Sequence, residues 1–130
     1  MEPLFLSLND MIAIHRDQIR RYGGESGIRD AGLLDSAVKS PAAGHTGGYF
    51  HSDVFEMAAA YLYHIIQNHP FVDGNKRSGA VASIIFLAFN GVSFDAAERD
   101  LEEVVLAVAS GEKGKEEVAE FFRRYSVKHK

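Results

Sequence analysis

Apolar residues recur at helical spacing near the start of the chain. From about Leu8 to Tyr22 they fall three or four positions apart, which places them on one face of a predicted helix. Ser7 and Asp10 have the spacing of a capping box at its start, and the pair Gly23-Gly24 predicts its end. Because His15 lies on the apolar face, we interpret it as a core histidine bonded to a neighbouring group.

Two later segments are apolar on almost every side. The first runs from Val54 to about Asn68 and the second from about Asn75 to Phe89. Such helices are buried at the centre of a bundle, since no face of them favours water. Three shorter amphipathic segments complete the pattern: one capped by Asp30 that stops before Pro41, one capped by Asp95 with Glu98, and one after Gly114. No strand pattern of useful length is present. The sequence therefore predicts one all-α domain over residues 1–130, a compact bundle of about six helices with the two apolar helices in the middle.

Composition narrows the possible functions. Of the 130 residues, 46% are hydrophobic and 25% are charged, as is typical of a soluble globular protein. The absence of cysteine excludes thiolate catalysis, and with no signal-peptide pattern at the start it favours a cytoplasmic protein. The longest apolar run, Ala80 to Phe89, is too short to span a bilayer, so no membrane partner is expected. A net charge of −4 argues against direct nucleic-acid binding.

The candidate chemistry lies in the nine residues from His69 to Arg77, where the two apolar helices meet. Pro70 cannot continue the preceding helix and favours an extended backbone at His69, so the histidine ring is expected to face outward at the helix exit. Histidine is the natural general base near neutral pH. Phe71 alternates with His69 and is expected to pack inward, which leaves Asp73 facing the opening.

The second half of this segment has the composition of a phosphate site. Gly74 allows a close approach of the backbone to a ligand, and Asn75 offers its amide either to a phosphate or to the loop backbone. Lys76 and Arg77 fall in the first turn of the next helix, where cations are disfavoured unless an anion occupies the free N–H groups. Asp73 is either the N-cap of this helix or a ligand for Mg²⁺, which prefers one or two carboxylates with phosphate oxygens and water.

The nine-residue segment resembles the signature of the Fic/Doc family, His-x-Phe-x-Asp/Glu-Gly/Ala-Asn-Lys/Gly-Arg, at every functional position. Further segments, Tyr22-Gly23-Gly24, Gly27 to Asp30 and Gly32 to Ala37, are similar to the amino-terminal half of the Doc branch. The resemblance implies transfer of a phosphate-containing group from a nucleotide to a hydroxyl side chain of a target protein. It implies that His69 deprotonates the target and that Asp73 holds Mg²⁺. It also implies that the phosphates are bound by Gly74, Asn75, Lys76 and Arg77, with Phe71 packing beneath the loop.

Lys76 decides which branch of the family the chain resembles more. Fic adenylyltransferases usually have glycine at this position. In Doc toxins the lysine goes with an inverted nucleotide and transfer of the ATP γ-phosphate to elongation factor Tu, which arrests translation. The resemblance therefore implies a protein kinase and toxin that uses ATP and Mg²⁺. The self-inhibitory Fic motif Ser/Thr-x-x-x-Glu-Gly/Asn does not occur in the sequence. A separate antitoxin is then expected to inhibit the toxin, and a disordered segment of this antitoxin is expected to fold on binding beside the motif.

One irregular segment, from Ala42 to Ser52, is predicted to be a loop or a short hairpin. It corresponds roughly to the flap that aligns the target segment in Fic enzymes. By this resemblance, His45, Tyr49 and His51 are expected to be target-aligning residues.

Three other functions stay open at this point. The nearest is a Fic-type enzyme that transfers AMP, which differs in the mass of its product. A metal-dependent phosphohydrolase could use His69 and Asp73, although a single carboxylate argues against a two-metal site. A non-catalytic antitoxin-binding or corepressor module is the third, and the intact set of motif residues argues against it.

Overall fold

The computed structural model describes residues 2–45 and 48–128, with the backbone alone at His45. The described residues form six α-helices: α1 Leu8–Tyr22, α2 Ala31–Lys39, α3 Val54–Asn68, α4 Asn75–Phe89, α5 Glu98–Ala109 and α6 Lys115–Arg124. A 3₁₀ turn, Ser40–Ala42, follows α2 directly and carries the chain through Pro41. The predicted helical bundle is confirmed, as are the predicted bounds of α1, α3 and α4.

The centre of the bundle is α3, as its apolar sequence predicts. It packs against α2, α4, α5 and α6, and α4 lies closest along its length. Gly79 of α4 permits this close approach, because a Cβ there would lie 3.3 Å from the backbone oxygen of Leu62 and 3.4 Å from the Ile65 side chain. Burial of both helices removes apolar surface from water and so stabilises the fold. It also fixes the two ends of the loop that joins them.

The described residues include four short strands, and only the first two lie in a segment for which the sequence allowed a hairpin. Strands β1 (Gly44–His45) and β2 (Gly48–Tyr49) form the short antiparallel hairpin that was one of two expected alternatives. Strands β3 (Val92–Phe94) and β4 (Ser126–Lys128) pair antiparallel and join the end of the chain to the segment after α4. Strands of two or three residues are too short to produce a recognisable alternation of polar and apolar positions.

Asp95 does not cap α5, so that prediction is wrong. The helix begins at Glu98 after Ala97, which has no side-chain acceptor to offer. The N–H of Asp95 donates instead to the carbonyl of Tyr125 at 2.8 Å, which extends the β3–β4 pairing by one bond. Among the described residues, no helix is both long enough and apolar enough to cross a membrane.

Candidate active site

The motif loop, residues 69–74, begins with a sharp reversal of the backbone at the end of α3. His69 adopts the left-handed conformation, with φ 49° and ψ 53°, and is the only non-glycine residue with positive φ in 2–45 and 48–128. The expectation of an extended backbone at His69 is therefore wrong. Its N–H still donates to the carbonyl of Ile65 at 3.2 Å, so the residue closes the last turn of α3 before Pro70 stops the helix. The histidine side chain is exposed at this turn.

Arg29 holds the turn from outside. Its Nε donates to the carbonyl of His69 at 2.6 Å, and its Nη2 donates to the carbonyl of Asn68 at 2.9 Å. A cation is favoured here, since the last carbonyls of α3 carry partial negative charge. Left-handed backbone at a non-glycine residue costs about 1–2 kcal/mol, and these two bonds offset part of that cost. Arg29 lies in one of the segments that carry the family resemblance, but nothing in its local sequence pattern indicates this contact.

The segment that contains Arg29 runs along the motif loop. Its own N–H donates to the carbonyl of Pro70 at 2.7 Å, and the N–H of Val72 donates to the carbonyl of Gly27 at 3.0 Å. Between these bonds, Ile28 and Phe71 form an isolated antiparallel bridge. The motif loop is thus held on one side as a strand is held in a sheet.

Three side chains close the inner side of the loop. Phe71 is completely buried, in agreement with its expected packing role. The side chain of Asn75 accepts from the N–H of Phe71 and donates to its carbonyl, each at 3.0 Å. The His15 ring lies parallel to the Phe71 ring with centroids 3.8 Å apart, and its Nε2 is 2.8 Å from the carbonyl oxygen of Asp73. The side-chain amide of Asn75 therefore serves the loop backbone, the second of the two alternatives left open by the sequence. The neighbour to which His15 is bonded is the motif loop itself.

The Asp73 carboxylate is exposed at the mouth of the site. Its Oδ1 accepts from the N–H of Gly74 at 2.8 Å, and its Oδ2 accepts from the N–H of Glu25 at 3.2 Å. These donors, Gly74 first and Glu25 next, hold the pKa of Asp73 below its usual value, with Arg77 contributing further. The carboxylate is consequently ionised near neutral pH. Gly24 has φ 116°, which favours glycine, and a Cβ there would lie 2.7 Å from Asp73 Oδ2, so a side chain at this position would also displace the carboxylate.

Helix α4 begins beside this carboxylate with its N-terminus open. The N-cap is Gly74, at φ 76°, and no side chain of the described residues caps the helix. Asp73 is therefore not the N-cap, and its carboxylate lies just before the helix. The first N–H groups of a helix have no partner within it, so this end of α4 offers donors to an anion.

The two cations of the motif are placed differently. Lys76 is exposed at the rim of the site. The Arg77 guanidinium is anchored, since its Nη2 donates to the carbonyl of Gly23 at 2.8 Å and it lies over the Tyr22 ring at 5.6 Å. Anchoring at the end of α1 leaves the guanidinium oriented before any ligand arrives.

These groups surround one cavity of about 780 Å³. Its lining comprises His69, residues 73–77, the turn at residues 22–24, and the side chains Ile66, Gln67 and Ala109. This volume lies in the range of small-molecule and cofactor sites. The cavity joins an exposed histidine, an ionised carboxylate, an open helix N-terminus and two cations.

Comparison with known proteins agrees with this arrangement. A family model described as the Fic/DOC family matches residues 5–87. The chain belongs to the Fic/DOC family. It is 34% identical to the protein kinase doc of Escherichia phage P1 over 120 residues, which cover 92% of this chain and 93% of the relative. It is also 43% identical to the toxin Doc of Mycolicibacterium smegmatis over 81 residues, which cover 62% of each chain. The family resemblance inferred from the motif is confirmed.

The donor set of this Fic/DOC chain fits a magnesium ion that shares its ligands with phosphate. Among residues 2–45 and 48–128, no three His, Cys, Asp or Glu side chains come together as a metal site. Asp73 is ionised, and each of its oxygens accepts only one backbone bond, which leaves capacity for a further ligand. One carboxylate beside a phosphate site is the pattern that Mg²⁺ favours, because the ion keeps water and takes the remaining ligands from phosphates.

The structure does not bring Tyr49 or His51 to the cavity. The hairpin precedes α3, whereas the motif loop follows it, and a helix of 15 residues is about 22 Å long. The Tyr49 ring packs edge-on against Phe5, and its hydroxyl donates to the Glu2 carboxylate. His51 lines a separate depression beside Lys115, where burial first and that cation second lower the pKa of His51. The side chain of His45 lies outside the described residues.

Proposed function

We propose that this chain is a Doc-type toxin and a protein kinase that transfers the γ-phosphate of ATP to a Ser or Thr hydroxyl of a translation factor, with elongation factor Tu as the first candidate. The observation that carries the proposal is the single cavity into which His69, Asp73 and the open N-terminus of α4 all face. The names of the two relatives, protein kinase doc and toxin Doc, support the same class.

His69 is the proposed general base. Its imidazole takes the proton of the target hydroxyl while the hydroxyl oxygen attacks the γ-phosphorus of ATP. The bond between that phosphorus and the bridging oxygen breaks, and ADP leaves with the electron pair of that bond. The left-handed turn and Arg29 fix the backbone of His69 at the end of α3, and its exposed side chain lines the cavity.

The remaining groups orient phosphates and stabilise their charge. Asp73 is the proposed ligand of Mg²⁺, which when bound neutralises part of the charge on the phosphate oxygens. The N–H groups at the start of α4 donate to a phosphate, and the anchored Arg77 presents its guanidinium beside them. Lys76 reaches the phosphates from the rim as a flexible point charge. Transfer by such a site depends on positioning and electrostatics, which a small helical scaffold supplies.

The test is the product on the target. The purified protein with ATP, Mg²⁺ and elongation factor Tu should increase the target mass by about 80 Da, the change expected for one phosphate. His69→Ala should abolish the increase and remain folded, because the side chain is exposed. His51→Ala is the matched control at the other end of α3 and should transfer normally. An AMP adduct would overturn the kinase assignment, and an unmodified target would overturn elongation factor Tu as the acceptor.

A separate antitoxin is the proposed restraint, and the structure offers a groove for it. The groove has a volume of about 450 Å³ between α1, α4 and α5, and Lys76 and Arg77 lie on its rim. Its wall includes Tyr22 and Leu106, whose exposed fractions are 65% and 52%. Glu98 and Glu102 of α5 also line the groove, so its charge is mixed. An amphipathic helix matches this surface if its acidic residues face the two cations and its basic residues face the two glutamates, and its binding would cover the rim of the cavity.

This part of the proposal is tested by titration calorimetry with the product of the neighbouring gene. Leu106→Glu places a charge in the groove and should weaken binding at least tenfold, by analogy with anchor residues of other interfaces. Val127→Glu changes an equally exposed apolar residue on β4 and should bind normally. Equal affinity of both variants, or binding that leaves transfer unaffected, would contradict the proposed groove.

A further inference from the structure

We infer that His15 is a positioning residue that sets where the Asp73 carboxylate lies in the site. The inference rests on the proposed function, in which Asp73 is a ligand of the ion. His15 belongs to α1, and 58 positions separate it from Asp73. Its role is indirect, because the imidazole is buried behind the loop and touches the backbone of Asp73 rather than the cavity.

The His15 ring is bonded directly to the motif loop. The exposed fraction of His15 is 3%, and its Nε2 lies 2.8 Å from the carbonyl oxygen of Asp73. A carbonyl oxygen only accepts, so Nε2 carries the hydrogen in this contact. Burial of an imidazole is unfavourable unless its polar atoms are bonded. Stacking on Phe71 alone would be served as well by a phenyl ring, and the bond to Asp73 accounts for a histidine at this position.

The peptide group between Asp73 and Gly74 links this bond to the carboxylate. The carbonyl of Asp73 and the N–H of Gly74 belong to one rigid plane and point in opposite directions. When His15 holds the carbonyl toward α1, the N–H is directed away from α1. That N–H is the donor to Asp73 Oδ1 at 2.8 Å, the first of the two bonds that hold the carboxylate. Orientation therefore passes from the imidazole through the peptide plane to the carboxylate.

Helix α1 also packs closely beneath the motif loop. One turn after His15, Ile19 lies so near that a Cβ added to Gly74 would be 3.1 Å from its Cδ1. The same Cβ would be 3.7 Å from the His15 ring. The loop thus has little room to shift on this side. Loss of the donor would free the peptide plane to rotate while the ring contacts remain.

Two substitutions separate the bond from the packing. His15→Phe keeps an aromatic ring against Phe71 and removes the donor, whereas His15→Gln removes the stacking and keeps a donor. Met11→Ala controls for general loss of packing, since Met11 is fully buried one turn earlier on α1. Residues that orient metal ligands typically change metal affinity by about 10–100-fold.

For His15→Phe we expect a rise of about tenfold or more in the Mg²⁺ concentration that gives half-maximal transfer, with an unchanged KM for the target. His15→Gln should recover part of the loss, and Met11→Ala should lower the melting temperature without changing the Mg²⁺ dependence. Amide exchange of Gly74, followed by NMR without nucleotide or target, should accelerate in His15→Phe and stay near the wild-type rate in Met11→Ala.

Exchange at Gly74 that is unchanged in His15→Phe would overturn the inference. So would a Mg²⁺ dependence that follows the melting temperature across the three variants. The exchange measurement does not require activity, so it still tests His15 if the wild-type protein transfers nothing to elongation factor Tu. In that case the proposed function fails separately from this inference.

Discussion

Replacing Asn75 with alanine should separate the support of the motif loop from the rest of the fold. The substitution removes two hydrogen bonds to the backbone of Phe71, each of 3.0 Å. Phe71 is completely buried and Asn75 is 5% exposed, so water has little access to the groups left behind. A buried donor or acceptor without a partner costs about 1–3 kcal/mol, and two such groups with partial relaxation give a loss of about 2–4 kcal/mol.

The chain contains a matched control at the other end of the same helix. The side chain of Asn90 accepts from the N–H of Leu4 at 2.8 Å and donates to its carbonyl at 3.1 Å, the same pairing that Asn75 makes with Phe71. Asn90 Nδ2 also donates to the carbonyl of Phe86 at 2.8 Å. Because Leu4 is 61% exposed, water replaces the two bonds to Leu4 when Asn90 is changed, and the bond to Phe86 is the one that is lost. The expected loss for Asn90→Ala is about 1 kcal/mol, with normal transfer activity.

Urea denaturation followed by circular dichroism measures the free energy of unfolding, and the transfer assay measures the site. Asn75→Ala should be the less stable of the two variants. Its transfer rate should also fall at temperatures where the protein is fully folded, because the loop no longer fixes Asp73. A decrease of less than about 0.5 kcal/mol in the free energy of unfolding of Asn75→Ala would refute this prediction. The prediction would also be refuted if Asn90→Ala impaired transfer as strongly.

Three further predictions concern single side chains. Arg29→Gln should lower the rate of transfer about tenfold or more, because a hydrogen bond from a charged donor contributes about 1.5–3 kcal/mol to the stability of the turn at His69. Equal transfer rates in the variant and the wild-type protein would exclude this role. Ser78→Ala should raise the free energy of unfolding by about 1 kcal/mol, because the buried Ser78 hydroxyl has no hydrogen-bond partner among the described residues. A lower melting temperature of the variant would contradict this prediction. Burial, and after it the charge of Lys115, lowers the pKa of His64 from 6.5 to about 4. Between pH 6.5 and about 4 the unfolded chain therefore binds more protons than the folded protein, so the free energy of unfolding falls as the pH falls through this range. His64→Phe should flatten that pH dependence in urea denaturation, and an unchanged slope would show that other groups cause it.

Much of the fold could be predicted because the helical signals are local. The capping box at Ser7 and the apolar run from Val54 fix the bounds of α1 and α3 with little help from the rest of the chain. The inward packing of Phe71 followed from its alternation with His69. The cap of α5 was assigned wrongly because the backbone N–H of Asp95 bonds to the carbonyl of Tyr125, 30 positions away and directly before a strand too short to recognise.

The support of the motif loop could not be predicted, because it consists of contacts between distant positions. His15 carries the periodicity of a core residue, and that periodicity says nothing about which backbone carbonyl its Nε2 meets. Arg29 is exposed and lies outside any helix, so no pattern distinguishes it from a solvated cation. Residues before proline usually have an extended backbone, but His69 does not. The last hydrogen bond of α3 and the two bonds from Arg29 outweigh this preference.

The contacts that hold the motif loop lie in one part of the chain, and the groove proposed for the antitoxin extends beyond that part. All side chains that hold the motif loop, and the motif itself, fall within residues 5–87, the part that the family model matches. Helices α5 and α6 lie outside that part, and α5 contributes Ala109 to the cavity and Leu106 to the groove. A substitution in α5 would therefore change the proposed docking groove and leave His69, Asp73 and the N-terminus of α4 in place. An antitoxin bound in this groove would contact α5, which supplies none of the side chains proposed for transfer, so a change of partner would not require a change of reaction.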